Sequence, residues 1–553
     1  MAGARPQTIL KELSIPAATL INATGRMAFA IVSERGRIDD FMYISNTLDL
    51  ENTVGVPTSL ATSVDFHLCK AFLAYGNDIV LYRAIDSDTA EMSRIGFDFS
   101  LTGYTDSLNE AADEKLFTDS TLHTLKSGMD LEFYAREPYV LGNDLSVAIC
   151  KWDSTDTATP TWQDVTDVIT ETTTFPDEFE YGPSPTKSEI AVAVLNDGVI
   201  VEKFIVSLDE TNKNDAGELN WVDEYIASKS AYIYAFGGSS VYDSVVSVES
   251  TSLANGTAGT TASSDDIQTA YSKFIPKNDI TFDYIMGGQH TTNRSYILDN
   301  ICEVRKDCIG FFSPNRSDII GISDTDTIVD NIVIDRQTFT NSVWATYSGN
   351  WKLTRDIYRG KDIWIPIDGD IIGNKVRVNT EREVWIPAAG NTNGRMKNVI
   401  KLAFNPTAGQ QNTLYKNGIN HVVFKAGKGY IVDGQKTMTD KNIGVSRTHN
   451  RDVLRVMEQY VLSFADDFLH EFNNATTRAR FRSLIEPFLE DILNRGGLVD
   501  FKVICDETNN TPAVIDALGF RCDVLVKLPR AIEQITITFF DTPISMDFSE
   551  VTA

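Results

Sequence analysis

The sequence predicts an α+β, multidomain protein. A C-terminal sheet and its helices form a core assembled from both chain ends, and a β-rich insertion faces outward from the middle. Three observations carry this reading. The chain has 553 residues, more than one ordinary core accommodates, so about two to four domains are expected. Short runs of alternating apolar and polar residues recur between Leu498 and Phe540, directly after two stretches of helical period. Between about Asp86 and Tyr347 the composition shifts toward Thr, Ser and Asp, with Trp152, Trp162 and Trp221 far apart.

Residues 1–25 read as an arm, in which Ile9, Leu13 and Ile15 share one row of an extended pattern that Pro16 closes. Residues 26–90 read as strand, helix, strand, the first half of the core. Met27, Phe29 and Ile31 line one face of the first strand, and Leu48 to Val54 is a short helix stopped by Gly55. Val64, Leu68, Ala71, Phe72 and Tyr75 then fall at helical spacing up to Gly76, and Ile79 to Ala84 is a buried strand. Residues 91–347 read as the inserted outer domain or pair of domains. Within them Ser188–Leu195 and Val199–Val206 look like strands, Ser154–Pro160 and Glu171–Pro185 like loops, and Ser250–Asp265 like a flexible connection. Residues 348–440 read as the second half of the middle core. Ile363-Trp364-Ile365-Pro366 and Val384-Trp385-Ile386-Pro387 look like two similar strands, and Leu414 to Asp440 is Gly-rich and β-like.

Two helices open the 441–541 domain. In the first, Asn450 is a candidate cap, and Val453, Met457, Tyr460, Val461, Phe464, Phe468 and Phe472 form one stripe. In the second, Phe481, Leu484, Ile485, Phe488, Leu489, Ile492 and Leu493 keep helical spacing up to Gly496-Gly497. Pro487 interrupts it. A helix-interior proline costs about 3 kcal/mol or kinks the helix, so two short helices are an alternative. Three strands follow: Val499, Phe501, Val503, Cys505; then, after the turn Asp506–Pro512, Phe520, Cys522, Val524, Val526, Leu528; then Ile535, Ile537, Phe539. The outer strands of such a sheet have open edges. Residues 542–553 form a second arm, with Ile544, Met546 and Phe548 at every second position. Burying each side chain stabilises by about 1.5–3 kcal/mol, while ordering costs about 1–2 kcal/mol per residue. The arm therefore needs the hydrogen bonds of a preformed sheet edge. That edge is either its own domain's or, given an arm at each end, a second copy's.

The formal net charge of −28 disfavours nucleic acid as a partner. The apolar runs are too short to span a membrane, and Met1 to Pro6 opens no secretory signal, so neither is expected. Six sparse cysteines read as buried thiols of a reducing compartment, with Cys302 and Cys308 close enough in sequence to bridge. The six histidines are scattered, and His67 and Cys69 would point to different faces of a helix, so no metal site is expected. Gly427-Lys428-Gly429 reads as a tight turn rather than a phosphate cradle, and Asp506-Glu507 as turn formers. No catalytic residue and no cofactor are expected. Arg478, Arg480 and Arg482 stand out: they form a solvated face paired with Asp466, Asp467 and Glu471, or a docking patch for an acidic partner.

Val503-Ile504-Cys505-Asp506-Glu507-Thr508-Asn509-Asn510-Thr511-Pro512-Ala513-Val514-Ile515-Asp516 resembles the C-terminal signature of tail sheath proteins from contractile-tailed bacteriophages. Tyr415 to Asn420, the Gly-Tyr-Ile-Val-Asp-Gly segment ending at Gly434, Ile363 to Pro366 with Gly369 to Gly373, Asn52 to Pro57 and Tyr75 to Asp78 are similar to further blocks of that family. The His449-Asn450-Arg451 segment departs from it. The resemblance implies a non-enzymatic virion subunit, assembled in the host cytoplasm. It would stack on itself as hexameric rings around a tail tube protein, bounded by baseplate and tail terminator proteins. The sheath would contract to drive the tube through the host envelope. It further implies strand exchange between subunits by the arms carrying Ile9, Leu13, Ile15, Ile544, Met546 and Phe548, and tube contact near Arg478, Arg480 and Arg482. A sheath of a related contractile injection or secretion system is the alternative, and a secreted hydrolase or adhesin a third reading.

Overall fold

The computed structural model describes residues 25–99, 105–106, 130–138, 140–151, 183, 187–214, 216–237, 242, 245, 248–257, 259, 261–533 and 536–538. Ile9, Leu13, Ile15, Ile544, Met546 and Phe548 lie outside them. The described residues divide into two compact units, one within Ile21–Lys441 and one within Asn442–Ala553. The fold is mixed α/β and multidomain.

A seven-stranded sheet organises the first unit, in the order Ile419–Asn420, Ala345–Ser348, Ile309–Phe312, Tyr284–Met286, Met27–Val32, Ile79–Ala84, Met42–Ile44. Every pair is parallel except the last, where Met42–Ile44 runs antiparallel at the edge. Met27–Val32 and Ile79–Ala84 are buried at every position, the signature of a sheet covered on both faces. Helices Leu60–Leu73, Ser264–Ser272 and Ala408–Lys416 each begin with a capping box, so their first turns were fixed locally by Ser59/Thr62, Ser263/Asp266 and Thr407/Gln410. The hydrophobic core of this unit runs from Met27 to Met438. Residues 25–90 thus pair with the middle of the chain. This differs from the expected core joining both chain ends.

The inserted region is antiparallel. One sheet holds Arg94–Asp98, Thr105–Asp106, Leu131–Ala135 and Ile233–Gly237. The other holds Leu145–Cys150, Glu189–Asn196, Val199–Ser207 and Val248–Ser252. Phe97, Phe133, Val147, Ile149, Ile190, Val192 and Val222 share one core. The insertion closes on a neck in which Glu91 and Thr257 exchange backbone bonds of 2.9 Å in both directions. It therefore ends near 257. The expected boundary at 347 is too far along, because Tyr284–Met286, Ile309–Phe312 and Ala345–Ser348 are strands of the central sheet.

Other expectations are refined. Val384–Pro387 lies in turns, whereas Lys361–Pro366 is a strand paired with Trp351–Asp356. Val422–Lys425 and Gly429–Val432 form a hairpin whose turn contains Gly427 and Gly429 at φ 75° and 87°, the left-handed backbone that glycine permits. Among the described residues no helix is long and apolar enough to cross a membrane, and no group of three or more His, Cys, Asp or Glu could hold a metal ion.

Candidate assembly surface

Among its described residues the Asn442–Ala553 unit is built from two long helices, a hairpin and a short helix between the hairpin's strands. The first helix spans Thr448–Ala465. Asn450 is not its cap. It sits inside the first turn, and its Nδ2 donates to the carbonyls of Gly444 at 2.9 Å and Pro529 at 3.2 Å, tying the helix to the chain after the hairpin. The helix gives way to a 3-10 turn at Asp466–Phe468, so the stripe stops short of Phe472, which is 86% exposed. The acidic pair Asp466-Asp467 explains the stop: carboxylates oppose the negative end of a helix dipole.

The second helix, Ala475–Asn494, is continuous through Pro487 and capped by Asn474 Oδ1, which accepts from Thr477 N at 2.9 Å. Phe481, Ile485, Phe488, Leu489 and Ile492 are buried on both sides of the proline. Burying that stripe outweighs the roughly 3 kcal/mol that the proline costs. Phe481 meets Phe468 and Phe520 edge-on at 5.0 and 5.2 Å, and Phe488 stacks on Tyr460. These rings join both helices to the hairpin.

The hairpin pairs Asp500–Ile504 with Asp523–Lys527 in register, Asp500 opposite Lys527 and Ile504 opposite Asp523. Among the described residues the sheet has only these two strands, so neither outer edge is paired with another. The expected third strand does not form across 536–538, and Ile535 and Phe539 lie outside the described residues. The connecting segment is locked by side chains. Asp506 Oδ1 accepts from Thr508 N and Oγ1, at 2.8 and 2.6 Å. Asn510 is buried, donating to Arg521 O at 2.7 Å and accepting from Arg521 N at 2.9 Å. Asn473 Nδ2 reaches both Asn510 Oδ1 and Gly519 O, at 3.0 and 2.8 Å. The acid and amide residues of the signature segment are turn formers, as their types suggest. A short helix, Pro512–Asp516, completes the connection and ends with Leu518 at φ 57°, where Gly519 N bonds back to Val514 O at 2.9 Å. Its sequence signals are Thr511 before Pro512 at the start and Gly519 just past the end.

The three arginines diverge. The Arg478 side chain is 7% exposed, and its Nη1 donates to Asn473 Oδ1 at 2.8 Å, so it holds the loop rather than facing outward. Arg480 pairs with Glu471 at 2.5 Å across the Phe468 ring, and Arg482 lies 3.4 Å from Glu486. Both are about half exposed. Among the described residues this unit leaves Leu462, Leu469, Phe472, Val499, Leu518, Leu525, Ile532 and Ile537 open to solvent, Leu518 at 97%. Exposed apolar side chains and unpaired sheet edges are features by which the class of structural subunits meets other chains.

Comparison with known proteins gives that class its family. Residues 446–540 match the phage tail sheath C-terminal domain. The tail sheath protein of Vibrio phage KVP40 is 30% identical over 401 residues, covering 68% of this chain and 58% of the relative. That of Enterobacteria phage T4 is 25% identical and covers 99% of both chains. The sheath tail protein of Listeria innocua has the same overall fold at a TM-score of 0.52, with 13% identity over 93% of this chain and 97% of that one. The chain is thus similar to the tail sheath proteins of these phages, it spans less than two thirds of the Vibrio phage relative, and residues 446–540 match the sheath C-terminal domain.

Proposed function

We propose that this protein is the structural subunit of a contractile phage tail sheath, polymerising as stacked rings around a tail tube and shortening to drive the tube through a cell envelope. The observation that carries the reading is the terminal hairpin. Among the described residues it is a two-stranded sheet with unpaired edges, inside the stretch that matches the sheath C-terminal domain. An isolated two-stranded sheet is marginal in water and gains from added strands. The arms at the two chain ends supply such strands. Ile9, Leu13 and Ile15 of one neighbour and Ile544, Met546 and Phe548 of another extend the hairpin by backbone pairing, and their alternating side chains fix the register. Arg480 and Arg482 face the tube, while Arg478 holds the loop through Asn473. The tube protein, baseplate and terminator are the remaining partners, and the virion tail is the location.

Deleting Thr542–Ala553 tests the reading. The truncated protein is expected to remain folded by circular dichroism and to stay monomeric where the full chain forms tubular polymers under negative-stain electron microscopy. Tubes of ordinary length from the truncated chain would overturn it.

A further inference from the structure

We propose that Cys505 and Cys522 form a covalent modification site, a cross-strand disulfide that closes the loop end of the terminal hairpin on oxidation. The inference rests on the hairpin alone and not on the assembly reading. The last pair of the ladder is Ile504 with Asp523, and the same register continued by one residue past both strand ends sets Cys505 against Cys522. Both are free thiols, and their side chains interact with each other. Directly opposed residues of an antiparallel pair have Cα atoms about 4.5–5.5 Å apart, inside the roughly 4.4–6.8 Å that a disulfide spans. The bridge therefore needs no change of register.

The surroundings give the two sulfurs different roles. The Cys505 thiol is held below its ordinary range by the interaction with Cys522 and the nearby Arg478 and Arg482 guanidinium groups. The same interaction and burial push Cys522 up. Cys505 is the attacking thiolate; it is buried and Cys522 is half-buried, so an oxidant reaches the pair from the Cys522 side. Cys302 and Cys308 also touch, but both are wholly buried in the core and burial pushes the Cys302 thiol up, so that pair stays reduced. With a small-molecule disulfide as oxidant, the Cys505 thiolate attacks one of its sulfurs and expels a thiolate. The Cys522 thiol then loses its proton, attacks the Cys505 sulfur and expels the second small thiol. Two protein thiols become one disulfide, and one small disulfide becomes two thiols.

The test treats the full-length native protein with oxidised glutathione, quenches with iodoacetamide and maps unreduced peptides by mass spectrometry. The expected product is an intramolecular Cys505–Cys522 peptide, reversed by dithiothreitol, with Cys69, Cys150, Cys302 and Cys308 alkylated only after unfolding. In Cys522→Ser, Cys505 is expected to accumulate as a glutathione mixed disulfide at least about tenfold faster than any other cysteine. Free Cys505 and Cys522 after oxidation, a link that forms only in denaturant, or a Cys505 link between two molecules would overturn the proposal.

Discussion

Lys352 and Asp370 face each other at 2.8 Å with both side chains 1% exposed, and Tyr75 Oη adds a bond to the same carboxylate at 3.2 Å. Burial raises the Asp370 pKa, and the lysine opposes that. Removing one partner leaves a buried charge uncompensated. Lys352→Met should therefore lower stability by roughly 3–5 kcal/mol, and Lys352→Met with Asp370→Asn should recover most of it, both measured by urea unfolding. Asp368 is the opposite case. Its carboxyl, which accepts from Ser313 Oγ at 2.6 Å, is pushed up to about 7 by burial, against an ordinary value of 3.8. An acid whose folded pKa exceeds its unfolded one binds more protons in the folded state, so it weakens the fold as pH rises between those values. Asp368→Asn should match the wild type near pH 4 and exceed it by up to roughly 4 kcal/mol above pH 7. Equal pH slopes for both proteins would refute this.

Among the elements, the contact between helices Leu60–Leu73 and Asp368–Glu381 shows how a sequence block becomes packing. A Cβ on Gly369 would lie 2.4 Å from Leu68 O, and one on Gly373 3.0 Å from Phe72 O. The approach at Gly369 is to backbone, which cannot yield cheaply, and Gly373 meets the Tyr75 ring at 2.9 Å as well as backbone. Gly369→Ala should cost at least about 2 kcal/mol despite alanine's better helix propensity, a loss thermal unfolding would read directly. The Leu60–Leu73 helix was visible by its period and Gly369 to Gly373 as a family-like block, but the helix Asp368–Glu381 that carries these glycines was not read. Helical stripes were legible because their period is local, as in Val64–Tyr75 and Phe481–Leu493, whereas the caps Ser59 and Asn474 were not read and the one candidate, Asn450, lies inside its helix. The insertion boundary was not legible. Tyr284–Met286, Ile309–Phe312 and Ala345–Ser348 are three or four residues long and buried throughout, so they show no alternation to distinguish them from loop. The arginine cluster was legible as charge. That Arg478 turns inward depends on Asn473, which no spacing rule links to it.

For the whole molecule, the outward arginines and the chain ends carry the proposed role. Arg480→Glu with Arg482→Glu should reduce co-assembly with tail tubes in a sedimentation assay while tube-free polymers form as before. Equal loss of both would mark these residues as structural instead. The central claim is that strands from other copies complete each terminal hairpin. The most direct measurement is a cryo-electron microscopy map of the polymer in which residues 542–553 can be traced. The account predicts Ile544, Met546 and Phe548 hydrogen-bonded along the free hairpin edge of an adjacent subunit. Tracing them onto the hairpin of their own chain would contradict it.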